Sequence, residues 1–577
     1  MPPVWKRHTL LGWSVLLCAL VMLPLLGPGY VLHLDMVFVP RQTLLPWNLG
    51  IGAGLPRSVP QDAVVSLLAG PLPGQILQKA VLVATMVLAA VGAGRLTGGT
   101  VLRRVAAASL YVWSAYFAAR LLMGHWGLLW AFALLPWVLL AARRARQGGG
   151  WVMLAGLCGI GALVPTGGLL LAGGGLPLGL GPGSRVPVRS RWLAGGVVLL
   201  LNAPWWLPAL RSPVAEVSDP LGLEVFGARA DGPGGVLMSV LGGGGVWNAQ
   251  ATLGSRTTWF PVLGTLLILG LAAAGWREWR REQRAEASWV TVLALSGLTW
   301  AWLSGVAGDQ PWAQQVVASL PGGGLFRDAQ KWTVFWVLAL ALCAPRGLQQ
   351  LTRTADRSLR VFLGVAVALF PLAVMPDLGW GAFGRLHPVS YPDPWRELRG
   401  VLAAQPAAGD VVSLPWAPFR RYAWNRDQVV LDPLPRFLTR TVVWNDRLPV
   451  TVSGQVVQVG GDDPRAAVIG QAIQEGRPLG PELAKLGVRW VVRQLDQPEA
   501  SRPPDLTGLR PRWEQGSLQL LEVMEPMRPY EPGDPLIVVV DVLAGLTLIG
   551  LGIISWRRPD PGGSGRSSDP ESMRGPG

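Results

Sequence analysis

Long apolar stretches recur from one end of this chain to the other, and they constrain it more than any motif does. A hydrocarbon layer about 30 Å thick takes roughly 20 apolar residues to cross as a helix, and backbone inside it must satisfy its own hydrogen bonds. Twelve stretches fit: Thr9 to Gly27, Ile76 to Gly94, Val105 to Met123, Trp126 to Ala142, Trp151 to Leu163, Gly168 to Leu180, Trp192 to Ala209, Trp259 to Trp276, Trp289 to Val306, Trp332 to Ala344, Val361 to Pro376 and Leu536 to Ile554. Half of the 577 residues are hydrophobic and 15% are charged, which agrees with that reading. The expected class is a polytopic α-helical membrane protein of about 12 transmembrane helices. The fifth and sixth stretches are short and joined by Val164-Pro165-Thr166-Gly167, so a re-entrant hairpin is the alternative there. The first lacks a small-residue cleavage site and reads as an uncleaved helix.

Orientation follows from Lys and Arg in the short loops. With the N-terminus in the cytoplasm, that side holds 21 basic residues in clusters such as Arg143, Arg144 and Arg146, or Arg277, Arg280, Arg281 and Arg284. The opposite loops ahead of the last domain hold seven: Arg41, Arg57, Arg211, Arg229, Arg256, Arg327 and Lys331. Both termini are therefore expected in the cytoplasm of a cell whose plasma membrane the chain crosses. The net charge of +15 is spread over these flanking clusters rather than on one soluble face, which argues against nucleic acid as a partner. The three cysteines, Cys18, Cys158 and Cys343, all fall in apolar stretches, so no disulfide framework or zinc spacing is present.

This topology divides the chain into a transmembrane module (1–376) with external loops 28–75, 210–258 and 308–331, an external piece (377–535), a final helix (536–554) and a Gly, Ser, Pro and charge-rich tail (555–577) expected to be disordered. The external piece is long enough for its own core and reads as a small α/β domain before the last helix. A helix opens at Asp393 and Pro394, with Trp395, Leu398 and Leu402 on one side. Strands are expected at 410–416, 428–431, 441–444, 488–493 and 518–523, and a helix at 464–475.

A helix followed by a long loop with an early acid, Tyr30-Val-Leu-His-Leu-Asp35, then the amphipathic Gln61-Asp62-Ala-Val-Val-Ser-Leu-Leu68 and a second span, resembles the start of a GT-C fold glycosyltransferase. Leu325-Phe-Arg-Asp-Ala-Gln-Lys-Trp332 resembles a segment of actinobacterial arabinofuranosyltransferase-like membrane proteins, and Leu486-Gly-Val-Arg-Trp-Val-Val492 resembles the soluble part of YfhO-like membrane proteins. The resemblance implies transfer of an arabinose- or mannose-type sugar from a polyprenyl-phosphate donor to a cell-envelope glycan or glycolipid outside the cytoplasm. It also implies Asp35 as the base that deprotonates the acceptor hydroxyl.

Each candidate residue also has a plainer reading. Asp35 serves equally as a loop acid or a partner for Arg41. Asp62 suits an acceptor or a metal, or the N-cap of the 63–68 helix, and His33 shares a side with Asp35 if the backbone is extended. Two such ligands define no metal site, so a divalent cation stays open. Arg327 and Lys331, spaced i and i+4, share a face on a helix and are the expected partners of the leaving phosphate; otherwise they anchor at headgroups and pair with Asp328. Arg120 is a further cation near the end of the third span. Trp205 and Trp206, like Trp47 and Trp247, suit stacking on sugars or the polyprenyl chain, or the aromatic belt at the membrane surface. The run Leu241-Gly-Gly-Gly-Gly-Val-Trp247 lacks the features of a phosphate-binding loop and reads as a flap or a passive loop. Two other functions compete with transfer: a non-catalytic envelope protein that binds glycan or protein, and a lipid-linked-sugar transporter.

Overall fold

The computed structural model describes residues 4–557 apart from 53, 56–57, 213–218, 321, 453–454, 499–502 and 526–533. The tail expected to be disordered lies, from 558 on, outside the described residues. Among those described, nine helices are long and apolar enough to cross a membrane: His8–Leu26, Gly74–Thr97, Val101–Leu122, Trp126–Arg146, Trp259–Glu282, Arg284–Ala307, Ala329–Leu351, Arg357–Val374 and Pro535–Ser555.

The remaining three expected spans differ. The seventh is a pair of helices, Val188–Leu201 and Ala203–Arg211, bent by 63°. The bend falls at Asn202, whose side-chain amide donates to Val198 O at 2.8 Å, just ahead of Pro204, which has no N–H to continue the ladder. The fifth and sixth are Trp151–Ile160, ten residues, and Pro165–Leu180, 16 residues. At 1.5 Å per residue these reach about 15 and 24 Å, short of a bilayer core. The third span is also interrupted, at Trp113, and Ser114 caps its second half by accepting from Phe117 N at 3.3 Å.

Residues 388–523 carry the α/β unit. Its five strands lie in the order Leu509–Gln515, Leu518–Val523, Val488–Gln494, Asp410–Leu414, Val442–Val443. The last three run parallel and the first two join antiparallel. Successive residues of the strand Asp410–Leu414 point to opposite faces. Val411 packs with Trp395, Leu398 and Leu402 of the helix Asp393–Ala404. Val412 packs with Ile469 and Leu483 of the helices Pro464–Glu475 and Leu479–Lys485. In the helix Asp393–Ala404, Asp393 is the first helical residue and not the N-cap, which falls on Pro392 and makes no side-chain cap. The strand Leu509–Gln515 and the hairpin Leu448–Val452/Gln455–Val459 have no counterpart in the sequence reading.

The first loop and this unit are not separate pieces. Tyr30 and Val31 pair antiparallel with Val389 and Pro388. The Tyr391 hydroxyl donates to Phe38 O at 3.0 Å, and the Asn425 amide donates to Leu32 O at 3.2 Å. The loop after the first helix is thus held between the bundle and the sheet.

Candidate active site

Asp35 sits on a tight turn that the rest of the chain holds from three sides. Across the turn His33 N donates to Met36 O at 3.3 Å and Met36 N donates to His33 O at 2.9 Å, with Leu34 at φ +46° between them. Leu34 N donates to Val429 O at 2.7 Å and Leu431 N donates to Leu34 O at 2.8 Å, tying the turn to the α/β unit. Asp35 N donates to Met123 O at 3.1 Å at the end of the third span. Gly124 makes this approach possible. Its φ is +79°, and a Cβ there would lie 2.1 Å from Met36 N and 2.8 Å from Asp35 C.

The Asp35 side chain is 41% exposed and its Oδ2 lies 3.1 Å from His125 Nε2. On the other side of that ring, Arg120 Nη1 lies 3.1 Å from His125 Nδ1. A guanidinium only donates, so Nδ1 must accept, and the proton of a neutral imidazole is on Nε2, aimed at Asp35. Burial lowers the His125 pKa and Arg120 lowers it further, against the opposing pull of Asp35, so the neutral form is the one favoured at pH 7.

Arg120 is fully buried and makes a two-pronged contact with Asp328, at 2.7 and 2.9 Å, as well as donating to Gln330 Oε1. Burial alone would raise the Asp328 pKa, but Arg120 and then Lys331 hold its carboxyl well below the usual range. Lys331 Nζ lies 3.7 Å from Asp328 Oδ2 and is 24% exposed, and the Tyr116 hydroxyl donates to Lys331 O at 3.0 Å. The result is a continuous line, Asp35–His125–Arg120–Asp328–Lys331, with a carboxylate at one open end, an ammonium at the other and a buried ion pair between.

Other expected residues are placed differently. Arg327 does not share a helical face with Lys331, because the helical turn there is 3-10 and starts at Ala329. The Arg327 guanidinium lies 4.7 Å from the centre of the Phe226 ring. Arg120 is committed to Asp328 and so serves to position its neighbours rather than as an open cation. Asp62 is not an N-cap: the helix begins at Gln61, and the buried Asp62 carboxylate pairs with Arg436 of the α/β unit at 3.0 Å. The turn directs His33 inward, not beside Asp35, and its Nδ1 donates to Leu122 O at 2.8 Å. Burial pushes the His33 pKa down to about 4.

Trp205 and Trp206 use their ring N–H groups on Asn202 Oδ1 and Leu199 O, bracing the helix bend. The glycine run is no flap. Gly243 to Val246 are buried, Gly245 N donates to Asp231, and Gln330 donates to Gly243 O at 3.3 Å. No three His, Cys, Asp or Glu side chains gather among the described residues in a way that would hold a metal ion. Asp35 has one such neighbour, His125, whose Nδ1 accepts from Arg120 and whose Nε2, facing Asp35, therefore carries the ring proton, so this donor set does not fit a cation.

Sequence reasoning missed His125, Gln330 and Tyr116. The available signal was rarity: His125 is one of four histidines in the chain, in a three-residue turn between two apolar spans. In the sequence Asp328 offers itself only as a partner for Arg327 and Lys331, since nothing nearby points to Arg120.

The helix arrangement is GT-C-like, the fold of a class of polytopic membrane glycosyltransferases. Among solved structures, the chain is similar to a mutant of the arabinofuranosyltransferase AftD from mycobacteria, determined by single-particle cryo-EM, with a TM-score of 0.52 and 17% identity. The match covers 91% of this chain and 42% of that one, so the chain spans less than half the length of AftD. At this identity the likeness is one of fold. No protein-family model matches the chain, and no curated protein does.

Proposed function

We propose that this chain is an inverting membrane glycosyltransferase. It moves an arabinose- or mannose-type sugar from a polyprenyl-phosphate donor to a cell-envelope glycan or glycolipid, at the extracytoplasmic surface of the plasma membrane. The observation that carries the reading is the half-open Asp35 carboxylate, oriented by a neutral His125 and linked through a buried ion pair to Lys331. The GT-C-like fold supports it, and so does the charge distribution, which favours an extracytoplasmic side for the α/β unit and this line of residues.

In this mechanism the acceptor hydroxyl lies against Asp35 and gives up its proton to the carboxylate as its oxygen bonds to the anomeric carbon. The bond from that carbon to the phosphate oxygen breaks, and polyprenyl phosphate leaves with the electron pair. Lys331 faces the charge that develops on the phosphate. His125 keeps one Asp35 oxygen fixed, leaving the other to meet the acceptor.

Asp35→Asn tests the assignment with little structural disturbance, because an amide oxygen still accepts from His125. Membranes supplied with polyprenyl-phosphate sugars should lose transfer by about 10²–10⁴-fold, while expression and thermal stability stay as in the parent. Unchanged transfer removes Asp35 as base. Mass spectrometry of a deletion strain separates the functions: accumulated donor with truncated glycan supports transfer, and an intact glycan favours a non-catalytic role.

A further inference from the structure

One segment takes an unusual conformation that the catalytic reading does not use. Trp380, Gly381, Ala382 and Phe383 follow one another in the left-handed region, at φ +54°, +65°, +52° and +57°, and Gly384 follows at +80°. Residues with a Cβ avoid this region, and single visits, not runs, are the rule. The turn is held by its own hydrogen bonds, with Gly384 N donating to Trp380 O at 3.0 Å and Leu386 N donating to Gly381 O at 2.9 Å. Gly381 and Ala382 are buried against the end of the first helix, where a Cβ on Gly381 would meet Leu386 O at 2.6 Å and Leu25 at 3.1 Å. The two large side chains instead point outward: Trp380 is 59% exposed and Phe383 is 82% exposed.

Their place in the bundle identifies what covers them. The turn comes six residues after the span Arg357–Val374. Asp377, at its foot, accepts from Ser255 N at 2.8 Å and from the Ser255 hydroxyl at 2.6 Å. Four residues beyond Ser255, Trp259 and Phe260 open another span and are 65% and 50% exposed. Leu20, Leu23 and Leu26 of the first span add further exposed apolar surface. Aromatic rings at the ends of adjacent spans belong at the level of the lipid headgroups.

The same turn leads directly into Pro388 and Val389, which pair with Val31 and Tyr30, a few residues before Asp35. We propose that the Trp380–Gly384 turn is a lipid-surface anchor, seated in the headgroup layer, that fixes the depth of the Asp35 turn relative to the membrane. The stiffness of a left-handed turn suits this role, since it holds both rings outward at a set height. The proposal does not require the chain to be an enzyme.

The test uses the full chain in phosphatidylethanolamine/phosphatidylglycerol vesicles, with nitroxide labels on Trp380→Cys and Phe383→Cys and, as a control on the exposed face of the helix Asp393–Ala404, on Glu397→Cys. Labels at 380 and 383 should collide more with oxygen than with a water-soluble nickel chelate, and the label at 397 should do the reverse. Greater nickel access at both 380 and 383 overturns the anchor. A label on Arg41→Cys, in the same loop as Asp35, reports the height of that loop. Its oxygen-to-nickel ratio should shift when both aromatics are replaced by serine (Trp380→Ser, Phe383→Ser). If the first result holds and the ratio does not move, the depth-setting role is overturned.

Discussion

Replacing Arg120 by Met acts on the centre of the line that joins Asp35 to Lys331. The guanidinium is fully buried, and the Asp328 side chain is 6% exposed. Breaking a buried pair from one side leaves a charge cut off from water and from its main partner, here with only Lys331 still 3.7 Å from Asp328, a loss of about 3–5 kcal/mol. Arg120→Met also strips His125 Nδ1 and Gln330 Oε1 of a donor, each worth about 1–3 kcal/mol if left unmet. Asp328→Leu is expected to cost about 3–5 kcal/mol by the same reasoning. The double variant carries neither buried charge, and Lys331, 24% exposed, can turn to solvent. It should therefore be more stable than the two losses added together, by at least about 2 kcal/mol, against the roughly 0.3–0.5 kcal/mol scatter expected of independent sites. The assay is reversible unfolding in mixed micelles, following helicity as denaturing detergent is added. Additive losses would refute a coupled pair. The pH dependence has a definite sign. Because the Asp328 carboxyl is held below its usual range, the pair's contribution is fully present above about pH 4. It is lost only as pH falls well below that value toward the folded-state pKa.

Other outcomes follow from single positions. Gly124→Ala places a Cβ against the backbone of the Asp35 turn and should lower transfer by at least about tenfold, with kcat falling while donor binding persists; undiminished kcat would show that the turn tolerates displacement. His33, neutral in the fold with a pKa near 4, contributes stability that is complete above about pH 6.5 and is lost as pH falls from there toward 4, by about 3 kcal/mol at most. His33→Gln should flatten that slope in an unfolding titration, and an unchanged slope would assign it elsewhere. Asp62→Asn leaves the Arg436 guanidinium without its counter-charge and should speed amide exchange in Gln61–Leu68 and Leu434–Phe437 together; faster exchange in only one of them would count against the docking contact.

Hydropathy made the long spans legible because each crosses on its own composition. It failed where geometry depends on company. The helices Trp151–Ile160 and Pro165–Leu180 are apolar enough to read as spans, but each is too short to cross, and the glycine and proline at their junction divide the stretch. In the α/β unit the β-branched strands announced themselves, whereas Leu509–Gln515, with two arginines, a proline and a glutamate, is an edge strand known only from its partner. Asp35 could be singled out as an acid beyond an apolar helix. Its surroundings could not, since Arg120 and His125 at the end of the third span, and Asp328 208 residues after Arg120, meet Asp35 only when the spans pack. The i and i+4 spacing of Arg327 and Lys331 misled because it presumes an α-helix, and the chain there makes a 3-10 turn.

The ladder that holds Leu34 between Val429 and Leu431 has a consequence for how the molecule comes into being. The Asp35 turn leaves the ribosome early, while the strand that fastens it follows only after nearly all the other spans have been made. At about 5–20 residues per second this interval is on the order of tens of seconds. Throughout it, the loop is tethered at both ends yet lacks its outer wall. A half-made chain inserted in the membrane therefore has Asp35 but no fixed place for it until Val429 to Leu431 have been made.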